Sequence, residues 1–205
     1  MIAVLLSILF LGPAMASAAP KIIGKGIKAG INVSRMLGSD ISEFWVRKKG
    51  LAIGGFLVIG INEHLAIQPE ILFSQKGVIY ENIDAGEDYA SSISLSYVEV
   101  PILANFYVPM SAGAKFRPYL FTGPSLGLKI RGRMKTTAQG VTTESEMQNM
   151  RMVDMGLMIG AGLNVDVGRG KIGIDVRHSW SLASTIIEED VKTSVLSILL
   201  SYSFN

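Results

Sequence analysis

Along most of the chain, apolar and polar residues alternate with a period of two, which is typical of β-strands that have two different faces. Eight segments show this alternation and predict eight strands. They cover about 24–36, 50–61, 65–78, 92–108, 116–134, 152–167, 171–182 and 192–204. The sixth is the most regular, because every second residue from Val153 to Val167 is apolar.

The two faces of these segments differ in a way that indicates the surrounding solvent. The apolar faces are long and uncharged, whereas the opposite faces combine Gly and Ser with sparse charges. Apolar-out and polar-in alternation is typical of transmembrane β-barrels, and only a closed barrel pairs every backbone group within lipid. The predicted fold class is therefore all-β: an eight-stranded antiparallel up-and-down transmembrane β-barrel.

The links between the predicted strands alternate between long and short. Short links fall at about 62–63, 109–115 and 168–170, and long links at about 37–49, 78–91, 135–151 and 183–191. Outer-membrane barrels combine short periplasmic turns with longer outside loops. We therefore predict the outer membrane of a Gram-negative bacterium, with both termini in the periplasm. The alternation weakens before Tyr97, where we predict a β-bulge or an extension of the strand beyond the membrane.

The first residues of the chain have the pattern of a secretory signal peptide. An apolar core at Ile2–Leu11 is followed by the small residues of Ala14–Ala19, with cleavage expected after Ala16, Ala18 or Ala19. This predicts a signal peptide over residues 1–19 and a barrel domain over 20–205. No Lys or Arg precedes the apolar core, and an uncleaved anchor is the alternative; Pro13 and the short core favour cleavage.

The amino-acid composition excludes several other classes of protein. Of the 205 residues, 49% are hydrophobic and 18% are charged, with a formal net charge of +2 and no Cys. After Pro20 no stretch approaches the roughly 18–20 apolar residues of a spanning helix. The absence of Cys excludes a disulfide scaffold and thiol catalysis, and the small net charge argues against a nucleic-acid partner.

Several motifs resemble those of the PorT-like outer-membrane β-barrel family, which are small barrels shaped like OmpA and OmpX. They are Ile67–Gly77, Tyr97–Leu103, Arg117–Tyr119 with Gly123–Pro124, Gly160–Gly162 and Asp175–Arg177. The resemblance implies an outer-membrane location, folding by the barrel-assembly machinery and a role accessory to secretion. Two positions depart from the family, because Asn205 follows the terminal aromatic Phe204 and because His178 replaces an aromatic residue.

Charged residues on the less apolar faces are predicted to point into the barrel. They are Lys28, Glu70, Lys76, Glu99, Lys129, Arg131, Asp154, Asp175 and Arg177. Because an isolated buried charge costs several kcal/mol, we expect a paired network that fills the lumen. Glu99 and Arg177 are the predicted pair. A narrow ion path or small-ligand site is the alternative, although eight-stranded interiors are normally filled by side chains.

Aromatic residues near strand ends are predicted to lie at the membrane interfaces. Phe106, Phe116, Tyr202 and Phe204 are expected at the periplasmic side, and Trp180 at the outside.

No catalytic, metal or cofactor site is predicted. His178 and Ser179 are adjacent on a strand, so their side chains point to opposite faces and form no catalytic pair. His64 and His178 lack metal-ligand spacing, and Gly160–Gly162 lies within a strand rather than before a helix.

The outside loops are the predicted site of any specific function. The third is rich in Thr136, Thr137, Gln139, Thr142, Thr143, Glu144, Ser145, Glu146 and Gln148, and the second carries Glu81, Asp84, Glu87 and Asp88, which could attract divalent cations. We predict a non-enzymatic protein with a structural, adhesive or secretion-accessory role. Outer-membrane lipid, lipopolysaccharide and a protein or glycan at the loops are the expected partners. The alternatives are a lipid-modifying barrel enzyme and a soluble lipocalin-like barrel whose apolar faces point inward.

Overall fold

The computed structural model describes residues 20–37, 45–82, 89–111, 113–138, 140–146, 151–182 and 192–204. The predicted signal peptide lies outside these residues. The strands are β1 (Lys21–Leu37), β2 (Trp45–Gly60), β3 (Leu65–Asn82), β4 (Tyr89–Tyr107), β5 (Phe116–Ala138), β6 (Val141–Glu146), β7 (Val153–Val167), β8 (Gly170–Ser181) and β9 (Lys192–Phe204). In this part of the chain, no helix has the length and apolar character needed to cross a membrane.

The strands close into a barrel. All pairings are antiparallel, β4 pairs with β5, and β1 pairs with β9, which joins the two ends of the chain. The short strand β6 pairs with the far end of β5. Eight strands, β1 to β5 and β7 to β9, therefore form the wall, and β6 is attached to it. This confirms the predicted eight-stranded antiparallel barrel.

The apolar face of the wall points outward. Ile27, Leu120 and Leu200 are 60%, 61% and 62% exposed, whereas Lys28 and Glu70 are almost completely buried. The soluble lipocalin-like alternative needs the opposite arrangement and is therefore wrong. An outer surface of this kind is stable only where lipid covers it.

The outward-facing apolar residues form a band around the wall, which we call the apolar band. Three strands continue beyond it. Outward-facing apolar positions end near Phe73 on β3, Val98 on β4 and Ile130 on β5, yet pairing continues to Asn82, Tyr89 and Ala138. We call residues 74–82, 89–97, 131–138 and 141–146 the strand extension. The predicted long links are wrong here, because 79–82, 89–91, 135–138 and 141–146 lie in strands, as do 45–49 on β2. On β6 both faces meet water, and the alternation that reveals a strand disappears there.

A β-bulge marks the point where the extension begins. Tyr97 lies opposite Lys129 and Ser96 lies opposite Arg131, so Ile130 is the extra residue. This confirms the irregularity predicted before Tyr97. The bulge turns Arg131 to the outer face together with Ile130, and the predicted inward placement of Arg131 is therefore wrong.

Candidate functional sites in the lumen and the strand extension

Four charged residues from three strands meet inside the barrel, and we call them the four-charge cluster. Lys28 Nζ lies 2.5 Å from Glu70 Oε1 and 2.9 Å from Asp175 Oδ2. Arg177 Nη1 lies 2.8 Å from Glu70 Oε2. All four residues are buried, and two cations balance two carboxylates. Such pairing is what makes buried charge tolerable in a low-dielectric interior.

Uncharged polar side chains complete this cluster. Tyr119 donates its hydroxyl hydrogen to Asp175 Oδ1. Gln68 Nε2 donates to Glu70 Oε1 at 2.7 Å, and Asn105 Nδ2 donates to Gln68 Oε1 at 2.8 Å. The Tyr119 ring fits only because residue 162 is glycine, since a Cβ at Gly162 would lie 2.3 Å from Tyr119 Cζ. Part of the Gly160–Gly162 motif thus makes room for the ring that orients Asp175.

A second group, the three-charge cluster, consists of Lys76, Glu99 and Asp154. Lys76 Nζ forms an ion pair with Glu99 Oε1 and lies 3.7 Å from Asp154 Oδ2. Ser181 Oγ donates to Asp154 Oδ2 at 2.9 Å. The Lys76 ammonium also lies 5.2 Å from the centre of the Tyr97 ring, within cation–π range. One cation here serves two carboxylates.

The structure brings together most of the charged residues predicted for the lumen, but not as the predicted pair. The predicted ion pair between Glu99 and Arg177 is wrong, because Arg177 binds Glu70 and Glu99 binds Lys76. Alternation shows which face a residue occupies, but the stagger between strands sets its height along the barrel axis. Lys129 is half-buried, and Arg131 lies outside the lumen. Inward alternation could also have indicated Tyr119, Gln68, Asn105 and Ser181 as site residues, which a search limited to charges left out.

Little space remains beside the four-charge cluster. A cavity of about 40 Å³ reaches Lys28, Tyr107, Tyr119 and Arg117 near the end of the barrel with short turns. That volume accommodates water rather than an organic ligand. Leu103, Tyr119, Phe121 and Met158 form a packed apolar cluster in the same interior. This part of the lumen is filled by side chains, as expected for eight strands.

His178 lies on the outer face and forms a hydrogen bond that the sequence did not indicate. Its Nε2 is 2.9 Å from Ser194 Oγ, and its ring is 4.3 Å from that of Trp180. Ser194 is only 1% exposed, so a lipid carbonyl has no access to its hydroxyl. The pair is a structural contact rather than a nucleophile and base. Within the described ranges, no three His, Asp or Glu residues are grouped to hold a metal ion.

The five predicted interface aromatics lie on the outer surface. Phe106, Phe116, Tyr202 and Phe204 are at the end with short turns, and Trp180 is at the opposite end. Tyr202 and Phe204 contact each other edge to face, with ring centres 5.0 Å apart. Contact of these rings with lipid headgroups stays a prediction.

The strand extension carries the second concentration of charge, on its outer face. Arg131, Arg133 and Lys135 point outward from β5, opposite Ser96, Ser94 and Ser92 of β4. Lys48 of β2 reaches across β3, and its Nζ donates to Ser92 Oγ and Ser94 Oγ at 2.5 Å each.

Glu144 of β6 provides the countercharge to this group. Lys135 Nζ lies 2.7 Å and Arg133 Nη1 3.8 Å from its carboxylate. The hydrogen bond from Lys135 and the positive charges of Lys135, Arg133 and Arg131 lower the pKa of Glu144. Glu144 is therefore ionised at neutral pH and neutralises part of this positive face.

The predicted polar loop is largely a β-hairpin. Thr137 and Thr142 face each other across β5 and β6 with their hydroxyl oxygens 3.1 Å apart, and Thr136 lies 3.5 Å from Ser91. Thr143, Ser145 and Glu146 are exposed on β6. Asp84, Glu87, Asp88, Gln139, Gln148 and the side chain of Glu81 lie outside the described residues, so cation binding at the second loop stays a prediction.

A family model and several solved structures are similar to this chain. A family model described as outer membrane protein beta-barrel domain matches residues 16–186. Among solved structures, Neisserial surface protein A is similar at 16% identity and a TM-score of 0.46, covering 88% of this chain and 97% of that one. Ail, the attachment invasion locus protein of Yersinia pestis, solved with the heparin analogue sucrose octasulfate, has 15% identity and a TM-score of 0.44, covering 88% and 98%. OprG of Pseudomonas aeruginosa has 10% identity and a TM-score of 0.46, covering 90% and 97%. No curated protein matches the sequence.

Proposed function

Because the chain belongs to the outer membrane protein β-barrel domain family and is an outer-membrane barrel of a Gram-negative bacterium, we propose that it is a non-enzymatic surface-binding protein. The strand extension is its binding surface. The observation that carries this proposal is the continuation of β3, β4 and β5 beyond the apolar band, where they join β6 in a sheet with a polar outer face. Backbone pairing makes this sheet a defined surface rather than a set of loops.

The proposal includes an orientation. Short turns gather at one end of the barrel, and the extension stands at the other. In barrels of this class the long connections face the outside. We therefore place the extension outside the cell and both termini in the periplasm, with residues 1–19 removed on export and the barrel-assembly machinery folding the rest.

The lumen supports binding rather than transport as the main role. Both charge clusters are paired within the barrel, and the cavity beside Lys28 holds only about 40 Å³. A lipid-modifying enzyme is disfavoured because the hydroxyl of Ser194 is shielded. The motifs that resemble the PorT-like family support a secretion-accessory role as the second candidate.

The absence of cysteine gives a direct test of orientation. Ser145→Cys lies on β6, and Arg169→Cys lies in the short turn between β7 and β8. On intact cells, a membrane-impermeant maleimide should label Ser145→Cys. It should label Arg169→Cys only after the outer membrane has been opened. The reverse pattern would overturn the proposed orientation.

The binding role is tested with a variant whose β5–β6 hairpin is shortened, with residues 137–142 replaced by Gly-Gly. Cells producing each protein would be compared for adherence to immobilised matrix proteins and glycans. The shortened variant should keep heat-modifiable gel migration, which reports a folded barrel, and lose adherence. Equal adherence, or a changed lipid A acyl pattern in cells lacking the protein, would contradict a non-enzymatic binding role.

A further inference from the structure

A groove crosses the outer face of the barrel where the apolar band ends and the strand extension begins. Its volume is about 420 Å³. Its lining residues are Phe73, Gln75, Ser94, Ser96, Ile130, Arg131, Arg133 and Lys135. Phe73 and Ile130 continue the apolar band, whereas the other residues are polar or positively charged. The groove is thus amphipathic along the membrane normal.

The β-bulge gives the groove this character. With regular pairing, Ile130 would lie opposite Ser96, and Arg131 would point into the lumen beside Leu95. The extra residue instead places Ile130 and Arg131 next to each other on the outer face. An apolar side chain, 57% exposed, and a guanidinium therefore meet where the outward-facing apolar residues end.

The groove has more positive than negative charge. Arg131, Arg133 and Lys135 line it, and Glu144 is the carboxylate paired with two of them. Within the part of the chain that the structure describes, Arg131 forms no ion pair. Ser94 and Ser96 add hydroxyl groups on the facing strand, with Ser94 also held by Lys48. Guanidinium groups bind phosphate with paired hydrogen bonds, which lysine cannot match geometrically.

We propose that this groove binds the phosphorylated sugar headgroup of an outer-leaflet glycolipid, that is, the lipid A part of lipopolysaccharide. Arg131 and Arg133 contact the phosphate, the serine hydroxyls contact the sugar, and an acyl chain lies along Phe73 and Ile130. The inference rests on the outward orientation proposed above. A free polyanion would use the cations but not the apolar end of the groove, which is why a glycolipid fits better.

The experiment uses the full-length barrel in phospholipid nanodiscs and measures binding of fluorescent bisphosphorylated lipid A. The test variant is Arg131→Gln with Arg133→Gln, and Arg131→Lys with Arg133→Lys retains the charge. Arg169→Gln is the matched control, because it removes an exposed cation from the short-turn end. Heat-modifiable migration establishes that each variant is folded.

The Gln double variant should bind lipid A at least about tenfold more weakly, since charge-assisted hydrogen bonds to phosphate are lost. Arg169→Gln should bind like the unaltered protein, and the Lys double variant should fall between the two. Dephosphorylated lipid A should not distinguish the Gln double variant from the unaltered protein.

Three results would overturn the inference: equal binding by the Gln double variant, an equal loss with Arg169→Gln, or tripolyphosphate competing as well as lipid A. These results are separable from a failure of the proposed function. If Ser145→Cys is labelled from outside while the Gln double variant binds normally, the orientation stands and the glycolipid site does not. If Ser145→Cys is labelled only from the periplasm, the orientation itself is wrong.

Discussion

Two ion pairs of almost equal length show how differently the two regions of this barrel use charge. Arg177 and Glu70 are 2.8 Å apart in the lumen, with side chains 3% and 0% exposed. Lys135 and Glu144 are 2.7 Å apart on the strand extension, with side chains 56% and 47% exposed. Distance does not distinguish these pairs, but access to water does.

The energetic consequences follow from that difference. A charge that loses its partner in a low-dielectric interior keeps its full desolvation cost, whereas an exposed charge is hydrated instead. The lumen clusters are therefore expected to hold the barrel together, and the charges on the outer face of the extension are available to a ligand. Each prediction below tests this separation.

The largest effect is expected from Glu70→Ala. Glu70 is bound by Lys28 and by Arg177, so its removal leaves two buried cations with Asp175 as their remaining carboxylate. We expect a loss of about 3–5 kcal/mol in the free energy of unfolding. Urea titration of the barrel in lipid vesicles measures this loss, with heat-modifiable gel migration as the readout of the folded fraction.

Glu144→Ala is the matched control, because it removes one carboxylate that also binds two cations. Its unfolding midpoint should equal that of the unaltered protein. If the two variants lose similar stability, the proposed separation between lumen and extension is wrong.

A double-mutant cycle gives an intermediate effect and tests the pairing inside the lumen. Arg177→Met and Glu70→Gln should be coupled by about 0.5–3 kcal/mol because the side chains are in contact. Arg177→Met and Glu99→Gln should be more nearly additive, since Glu99 binds Lys76. Stronger coupling of Arg177 to Glu99 would restore the pair that the sequence predicts.

Those pairs also show which features of the barrel can be predicted from the sequence. Strand number, the faces of the wall and the charged residues of the lumen follow from local alternation, because the face a residue occupies depends on its neighbours in the chain. The partner of Arg177 does not follow, because it depends on the stagger of β3 and β4 relative to β8 across the barrel. The face that a residue occupies on its strand contains no information about that stagger.

The outer part of the strand extension was missed for a different reason. Its residues 79–82, 89–91, 135–138 and 141–146 lie beyond the apolar band, and those of β6 are exposed on both faces, so no apolar period distinguishes them from a loop. The bulge at Ile130 shifts parity by one residue, which reversed the predicted direction of Arg131. The weakened alternation before Tyr97 was the available signal, and it indicated the irregularity without its consequence for β5.

The smallest effect is expected from Glu144→Gln. This change removes the negative charge that faces Arg133 and Lys135 while keeping the shape of the side chain. The affinity of the groove for lipid A should rise by about two- to fivefold, because only an exposed, screened interaction is altered. Binding in nanodiscs at neutral pH and moderate ionic strength measures the difference.

The pH dependence of lipid A binding by Glu144→Gln shows whether the effect comes from the charge or from the shape of this side chain. The hydrogen bond from Lys135 lowers the pKa of Glu144, so the ion pair is intact at neutral pH and is lost as the pH falls through that lowered pKa. At a pH below that lowered pKa, Glu144 is neutral in the unaltered protein too. The higher affinity of Glu144→Gln for lipid A should then vanish. Weaker binding by the variant at neutral pH would contradict the prediction, because it would mean that Glu144 holds Lys135 and Arg133 in position for the phosphate rather than competing with it.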